Sequence, residues 1–456
     1  MWCMSKKKNT QRKRQAAEQR KPFAFKESYD LVIVGGGASG LACAVSCLQE
    51  ARKAKGALPS ILLVEQGKRI GAPILRSGNG RCNFSNSQLD VSRYWNSAFA
   101  SQILGFLGGS PVRSITNWFE ELGLVWAEAP ESGGLLYPFS NKASSVLEVL
   151  TAALPSHAVD IHPCVKALET HRSHDGFDIL LEESHSAAGN GRAATNKSKG
   201  TLQQATVHAG RVVVAAGGGC AEPLLVSAVL ASPTAPWRPT LGPLAAAFPE
   251  NVSSEELDGI RSHVRISLPS SGFSEEGEVL FRNYGISGIV VFNASRYANT
   301  GETLLVDFLP AMKLREAEDA IRTRIERLQG KPARMLFKGF VLPELGAALL
   351  AASGVRPDEP LQQELCCRIS RTMKAFPLTV QGIADEAQCQ VHRGGIAPES
   401  VCAESLELKA WPGLYVLGES LDVDGPCGGY NLHWAWACGI LAGRDIARKI
   451  KKEQSC

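Results

Sequence analysis

Regularly spaced glycines near the start of this 456-residue chain are candidates for ligand chemistry. Gly35, Gly37 and Gly40 lie in the run LVIVGGGASG with the spacing G-x-G-x-x-G. Glycines so spaced let the backbone approach a diphosphate, with the N–H groups of a following helix directed at the phosphate oxygens. Glu65 stands 25 residues after Gly40, against about 20 in the usual pattern, and its carboxylate can accept hydrogen bonds from ribose hydroxyls. The pattern predicts dinucleotide binding; a glycine-rich turn of another α/β protein is the alternative.

A second glycine-rich loop lies near the end of the chain, within GLYVLGESLDVDGPCGGYNLHWA. Gly418 and Glu419 follow a short apolar segment, and Gly428 and Gly429 precede an apolar helical pattern that opens near Asn431. A glycine loop between a strand and a helix N-terminus presents free N–H groups to a ligand. We therefore expect the two ends of the chain to close on one dinucleotide site.

Apolar runs beside both glycine segments predict the elements that position them. They indicate a helix at 41–49 and buried strands at 31–34, 61–64 and 414–417, and 211–219 is a further buried strand that ends in a triple glycine. The order strand, glycine turn, helix and second strand is typical of a βαβ unit with parallel strands. The uncharged run 31–49 has the length of a membrane span, but its glycine turn favours the βαβ unit, so no membrane partner is expected.

Charge is concentrated at the N-terminus. The first 26 residues contain nine Lys or Arg and one acid, whereas the rest of the chain carries a net charge of −4. A basic tail with few apolar residues is typical of a solvated extension, and a nucleic-acid or anionic-surface contact is the alternative. It is not a secretory signal, because the apolar run that follows it is the nucleotide-binding strand. A nucleic-acid partner is therefore disfavoured.

Composition indicates a soluble enzyme in a reducing compartment. The chain is 44% apolar and 21% charged, as is usual for globular proteins. Its 13 cysteines form no regular framework and include no C-x-x-C pair. An odd number of scattered cysteines argues against a disulfide scaffold and favours the cytoplasm. No metal site is expected.

Six segments together resemble the BaiN-like family of bacterial FAD-dependent oxidoreductases, which includes aminoacetone oxidases and bile-acid reductases. They are LVIVGGGASGLACA, SGNGRCNFSN, YPFSNKAS, GEVLFRNYGISG, HRGGI and GLYVLGESLDVDGPCGGYNLHWA. The resemblance extends from about residue 30 to residue 447, nearly the whole chain apart from the tail.

The resemblance implies an α/β fold with a split FAD-binding domain of the glutathione-reductase type. A β-rich domain is inserted between the two halves and is itself interrupted by a helical domain. The implied boundaries are 28–220 and 397–456 for the FAD-binding domain, 221–310 and 375–396 for the β-rich domain, and 311–374 for the helical domain. Residues 1–27 are expected to form a basic disordered tail, because of their charge and composition. Apolar patterns agree, since 280–291 and 303–308 resemble strands, and 314–329 and 361–374 resemble helices.

The resemblance also implies which residues bind the cofactor. On the adenosine side, Gly35, Gly37, Ala38 and Gly40 bind the pyrophosphate and Glu65 binds the ribose. Val165, which ends an apparent strand after Ile161, faces the adenine.

On the flavin side, the loop from Ser77 to Asn83, with Gly80, Arg81 and Cys82, runs along the ring system. Gly418 and Glu419 lie near the ribityl chain, and Gly429, Tyr430 and Asn431 lie at the pyrimidine edge. A helix N-terminus suits that edge, because reduced flavin gathers negative charge there.

The implied function is an FAD-dependent oxidoreductase acting on a small molecule, with NAD(P)H or oxygen as exchange partner. No second G-x-G-x-x-G occurs, so NAD(P)H is expected to bind transiently. A flavoprotein that acts on RNA, or binds it through the basic tail, is the alternative. No catalytic acid or base is assigned, because Arg81, Lys142, His392 and His433 each have a structural alternative. Substrate identity and oligomeric state are left open.

Overall fold

The computed structural model describes residues 25–130, 133–183, 203–219 and 233–454. Nearly all of the expected disordered tail at 1–27 lies outside the described residues. The helices are α1 (Ala38–Lys53), α2 (Ala72–Arg76), α3 (Ser97–Phe106), α4 (Pro111–Glu121), α5 (Ala143–Ala152), α6 (Ser254–Leu257), α7 (Ile289–Ser295), α8 (Leu314–Arg327), α9 (Pro343–Ala352), α10 (Leu365–Lys374) and α11 (Tyr430–Gln454).

The strands of the first part of the chain are β1 (Ser28–Val34), β2 (Ile61–Glu65), β3 (Ser85–Asn86), β4 (Trp126–Glu128), β5 (Leu135–Pro138), β6 (Val159–Pro163), β7 (Val165–Arg172), β8 (Phe177–Glu183) and β9 (Gln204–Val214). Those of the second part are β10 (Thr234–Thr240), β11 (Leu244–Ala247), β12 (Arg261–Leu268), β13 (Phe273–Arg282), β14 (Gly285–Ser287), β15 (Thr303–Asp307), β16 (Phe376–Ile383), β17 (Val391–Ile396) and β18 (Leu414–Val416).

One seven-stranded sheet contains strands from both ends of the chain. Its order is β6-β2-β1-β9-β8-β7, and β18 pairs with the second half of β9. The strands β6, β2, β1, β9 and β18 run parallel, with Ile33 between Leu63 and Val213. Parallel strands covered on both faces require continuous apolar runs, which is the pattern of β1, β2 and the end of β9.

Helix α11 packs directly on α1 through glycines. A Cβ at Gly439 would lie 2.5 Å from the Ser39 carbonyl oxygen, and one at Gly443 would lie 2.5 Å from the Cys43 carbonyl oxygen. Ser46 Oγ donates to the Ile440 carbonyl oxygen at 2.9 Å across the same contact. The four-residue spacing of the glycines keeps them on one helix face. The C-terminal helix therefore packs closely against the N-terminal βαβ unit.

A closed barrel of β11-β14-β13-β12-β15-β16 forms the second part of the fold. Helices α8, α9 and α10 fall between β15 and β16 in sequence and share the hydrophobic core of the barrel. A separate core joins the seven-stranded sheet to α1, α5 and α11. The fold class is confirmed; the four domain boundaries stay a prediction.

Two local predictions were wrong. The apolar run 280–291 does not continue as a strand, because β13 ends at Arg282 and Ile289 begins α7. Val165 begins β7 instead of ending a strand, since β6 ends at Pro163 and Cys164 takes a left-handed conformation between them. In the described part of the chain, no helix combines the length and apolar character needed to span a bilayer.

Candidate active site

Three glycine-containing turns meet at the carboxyl edge of the seven-stranded sheet. Gly35 follows β1, residues 217–219 follow β9, and Gly418 follows β18. The amide of Ala215 donates to the Val34 carbonyl oxygen, so the first two turns lie side by side. Parallel α/β sheets bind ligands at this edge. The N-terminal and C-terminal glycine segments thus belong to one surface, as the sequence predicts.

Gly37 and Gly40 of the G-x-G-x-x-G motif have different structural roles. A Cβ at Gly40 would overlap the Gly35 carbonyl oxygen, so Gly40 lets α1 pack against the turn. A Cβ at Gly37 would meet nothing within 4 Å. Gly37 is also the N-cap residue of α1, so no cap side chain makes a hydrogen bond to the first amides of this helix. Open space in front of a free helix N-terminus fits a diphosphate group, and Ala38 begins that helix.

Glu65 is held beside this helix end. Its Oε2 accepts from the Gly36 amide at 3.0 Å, and its Oε1 accepts from the Gly67 amide at 2.7 Å. Each carboxylate oxygen keeps further lone pairs, so the group can still accept from ribose hydroxyls. The Gly67 carbonyl oxygen accepts from the Cys164 amide at 2.9 Å, which brings the start of β7 at Val165 to the same side.

The loop from Ser77 to Asn83 is neither strand nor regular helix. Gly78, Asn79, Gly80 and Cys82 all have left-handed backbone angles. The Arg81 guanidinium lies 4.6 Å from the centroid of the Tyr137 ring, so it makes a cation–π contact within the protein. Burial raises the pKa of the Cys82 thiol to about 12, which leaves it protonated and unreactive near neutral pH.

An unpaired acceptor lies where this loop meets α11. Asn83 is buried, and its Oδ1 has no hydrogen-bond partner among the described residues. A Cβ at Gly429 would lie 3.0 Å from that oxygen and 2.5 Å from the Ser85 carbonyl oxygen. A buried acceptor beside a helix N-terminus fits a planar ligand that carries an N–H donor, as the pyrimidine edge of a flavin does.

The side chains of Tyr430 and Asn431 are engaged within the protein. The Tyr430 hydroxyl accepts from the Asp90 amide at 3.0 Å. The Asn431 Oδ1 accepts from the Gly425 amide at 2.8 Å, and its Nδ2 donates to the Gly425 carbonyl oxygen at 2.9 Å. The backbone N–H groups of this helix end are therefore the groups that we expect to face a ligand.

A buried ion cluster fixes the loop before α11, and sequence reasoning missed it. Asp424 is fully buried and accepts from Arg296 Nε at 2.6 Å and from Arg393 Nε at 2.7 Å. The Arg393 guanidinium also lies over the Trp95 ring at 4.3 Å. Arg296 follows α7 beside the barrel and Arg393 is in β17, so the cluster ties the barrel region to the candidate site.

His392 and Glu419 form a second group that the sequence did not identify as a pair. The Glu419 Oε1 accepts from the His392 amide at 2.6 Å and lies 3.2 Å from the His392 Nδ1. Hydrogen bonding to Glu419 raises the pKa of His392 above its ordinary value, and Glu386 adds to the effect. No spacing rule pairs residues that are 27 positions apart on different elements. The pair could be predicted only if it were known that β17 runs beside the turn after β18.

The remaining candidates have structural roles. His433 is fully buried, with its Nδ1 2.8 Å from Ser85 Oγ, and desolvation lowers its pKa to about 3. Burial raises the pKa of Cys427 to about 12. Lys142 directly precedes α5 and is exposed. In the described part of the chain, no three His, Cys, Asp or Glu residues are grouped to hold a metal ion.

The chain is similar to several known proteins. The chain is 30% identical over 435 residues to a 3-dehydro-bile acid delta(4,6)-reductase of Clostridium scindens, covering 91% of this chain and 98% of the relative. It is 27% identical over 448 residues to a ribosomal RNA dihydrouridine synthase of Escherichia coli, covering 92% and 98%. The solved 3-ketosteroid delta1-dehydrogenase of Sterolibacterium denitrificans has a TM-score of 0.44 and 13% identity, covering 93% of this chain and 100% of that one.

The family model described as HI0933-like protein Rossmann domain matches residues 29–445. The match spans the seven-stranded sheet, the barrel and most of α11. The chain therefore belongs to the HI0933-like family and is an FAD-dependent oxidoreductase.

Proposed function

We propose that the protein reduces a carbon–carbon double bond conjugated to a carbonyl group. The observation that carries the proposal is similarity along more than nine-tenths of the chain to both a bile-acid reductase and a ribosomal RNA dihydrouridine synthase. A 3-dehydro bile acid with Δ4,6 double bonds has its alkenes conjugated to the 3-oxo group. Uridine becomes dihydrouridine by reduction of a ring double bond conjugated to a carbonyl. The two names thus share one reaction type.

We propose that FAD is held by the residues at the carboxyl edge of the sheet. The diphosphate would lie in the open space at Gly37, against the α1 helix end, and the ribose would donate to Glu65. The flavin would lie along the loop from Ser77 to Asn83, with its pyrimidine edge at the amides of the α11 helix end. FAD supplies hydride chemistry when it is bound; the chain supplies position, exclusion of water and electrostatics.

We also propose that NAD(P)H reduces the cofactor as a transient co-substrate, with oxygen as the alternative exchange partner. The absence of a second glycine fingerprint supports transient binding. A cytoplasmic location is supported by the cysteines of the described ranges, all of which are free thiols.

An RNA substrate is the second candidate, and a charge distribution favours it. The predicted helical domain at 311–374 contains twelve Lys or Arg against eight Asp or Glu, whereas the rest of the chain after the tail is acidic overall. A basic surface on an otherwise acidic protein suits a polyanion. The basic tail would add to this charge, although nearly all of it lies outside the described residues.

The proposal predicts that the purified full-length protein is yellow and releases FAD, not FMN, on denaturation. After anaerobic reduction, we expect it to be reoxidised by 2-cyclohexen-1-one or a 3-oxo-Δ4 steroid, because their alkenes are conjugated to a carbonyl. Stopped-flow absorbance of the flavin measures the rate. Cyclohexanone is the matched control, since it lacks only the double bond.

Two results would contradict the proposal: a colourless protein that takes up no FAD, or equal reoxidation by 2-cyclohexen-1-one and cyclohexanone. Reoxidation by an unmodified ribosomal RNA transcript, and not by the small enones, would instead support the second candidate. In that case binding of the transcript should weaken steeply with salt, because basic side chains release counterions from the phosphates.

A further inference from the structure

The His392–Glu419 pair is fixed at the carboxyl edge of the sheet. Glu419 is in the turn after β18, and His392 is in β17. Both pack on the backbone of Gly218, where a Cβ would overlap the His392 Cβ and lie 2.7 Å from Glu419 Oε1. Because Glu419 binds both the amide and the ring of His392, the imidazole orientation is set by the fold. A histidine held in this way is preorganised for proton transfer.

The surroundings of His392 favour its charged form. Glu419 holds the pKa of His392 above its ordinary value, and Glu386 in the turn before β17 acts in the same direction. Two cations are neighbours of His392. Arg393 donates to Asp424, and Arg238 precedes Pro239, the β10 residue that pairs with His392. The His392 side chain is 39% exposed, and because its Nδ1 faces Glu419, its Nε2 is directed away from that carboxylate.

Other proton carriers near the site are poorly suited to donate. His433 is neutral near pH 7, because burial lowers its pKa to about 3. The thiols of Cys82 and Cys427 hold their protons tightly, since burial raises the pKa of each to about 12. The Tyr94 hydroxyl is buried and donates to the Tyr430 carbonyl oxygen at 2.8 Å. Among these groups, His392 alone combines a pKa that is raised by a neighbouring carboxylate with a partly exposed side chain.

We propose that His392 is the proton donor for alkene reduction and that Glu419 is its positioning residue. The inference rests on the proposed function. The conjugated alkene gains a hydride at its β carbon, which the reduced cofactor supplies, and a proton at its α carbon from His392 Nε2. The carbon–carbon π bond breaks and two C–H bonds form. Solvent then returns one proton to the neutral imidazole, and NAD(P)H restores the two electrons to the cofactor.

Replacing His392 with glutamine tests this role. Glutamine keeps the backbone bond to Glu419 but cannot deliver a proton near neutral pH. We expect reoxidation of the reduced protein by the best enone to slow by about 10²-fold or more, the usual contribution of general acid catalysis. FAD content and the rate of cofactor reduction by NAD(P)H should stay within about twofold, because protonation of substrate is not part of that half-reaction.

His208→Gln is the matched control. His208 also pairs with a carboxylate, with its Nδ1 3.0 Å from Asp178 Oδ1, but it lies within β9, before the strand reaches the carboxyl edge. It should leave both half-reactions unchanged. If the glutamine variant folds poorly, His392→Asn provides a second test, because the asparagine side chain is shorter but equally unable to donate a proton near neutral pH.

The pH dependence provides an independent check. The active form is the imidazolium, so the wild-type rate of enone reduction should be full below the His392 pKa and fall as pH rises through it. In His392→Gln this descending limb should disappear. Histidine-selective NMR titration of the cofactor-free protein should show the His392 pKa above that of an ordinary histidine, and Glu419→Gln should lower it.

The outcomes separate this inference from the proposed function. If the wild-type protein reduces no conjugated alkene, the proposed function fails and the proton donor fails with it. If the wild-type protein reduces an enone and His392→Gln does so at the same rate with the same pH profile, the proposed function stands and the assignment of His392 is overturned.

Discussion

Replacing Gly37 with valine is expected to abolish FAD retention while the chain stays folded. The space around Gly37 is empty of protein atoms within 4 Å of a Cβ, and its backbone has a negative φ that valine can adopt. The new side chain would therefore not disturb packing, but it would occupy the place proposed for the diphosphate. Flavin absorbance per protein after gel filtration measures retention, and circular dichroism measures folding. We expect a loss of at least about tenfold in FAD affinity, since every 1.4 kcal/mol of lost contact is a factor of ten.

Gly105→Val is the matched control for this prediction. Gly105 lies in α3, and a Cβ there also meets nothing within 4 Å. It should retain FAD like the wild type, and the helix should tolerate the change, because valine is no worse than glycine in a helix interior. Normal flavin content in folded Gly37→Val protein would mean that the diphosphate lies elsewhere.

The parallel core of the fold could be predicted from local patterns. The apolar runs at 31–34 and 61–64 lie within β1 and β2, and the helix expected near Asn431 begins at Tyr430. The two apolar runs belong to strands that are buried on both faces of the sheet, so they are continuous and easy to recognise. The patterns were ambiguous for the run 280–291, because Val290 and Val291 are equally apolar in a strand or a buried helix.

The contacts that complete the site could not be predicted in the same way. Asp424 is separated from Arg296 by 128 residues and from Arg393 by 31, and the two arginines approach it from different elements. Likewise, Asn431 is identified by its place after a glycine loop, but nothing local indicates that its amide binds Gly425. Tertiary pairing of polar side chains follows from the packed fold, and no periodicity encodes it.

The buried cluster leads to the second large prediction, a loss of stability in Asp424→Asn. Asparagine keeps the size of the side chain, but it removes the negative charge between two buried guanidinium groups. Asp424 Oδ1 accepts from both arginines and Oδ2 accepts from Arg393, so an amide N–H must replace one acceptor and face a guanidinium N–H. Removing one partner of a buried ion pair costs about 3–5 kcal/mol, because the remaining charge is left uncompensated. Urea unfolding followed by tryptophan fluorescence measures the change, and Trp95, which lies over Arg393, is a local probe.

Asp319→Asn separates this effect from the general cost of losing an ion pair. Asp319 pairs with Arg322 one turn along α8 at 2.9 Å, and both side chains are about half exposed. Exposed pairs contribute about 0–1 kcal/mol, so the control should unfold nearly like the wild type. A difference between the two variants of less than about 1 kcal/mol would mean that Arg296 and Arg393 find other partners, such as Asp422. With the larger loss, the loop from Asp422 to Gly428 should also loosen, and FAD should dissociate faster, because this loop sets where α11 begins beside the proposed position of the flavin edge.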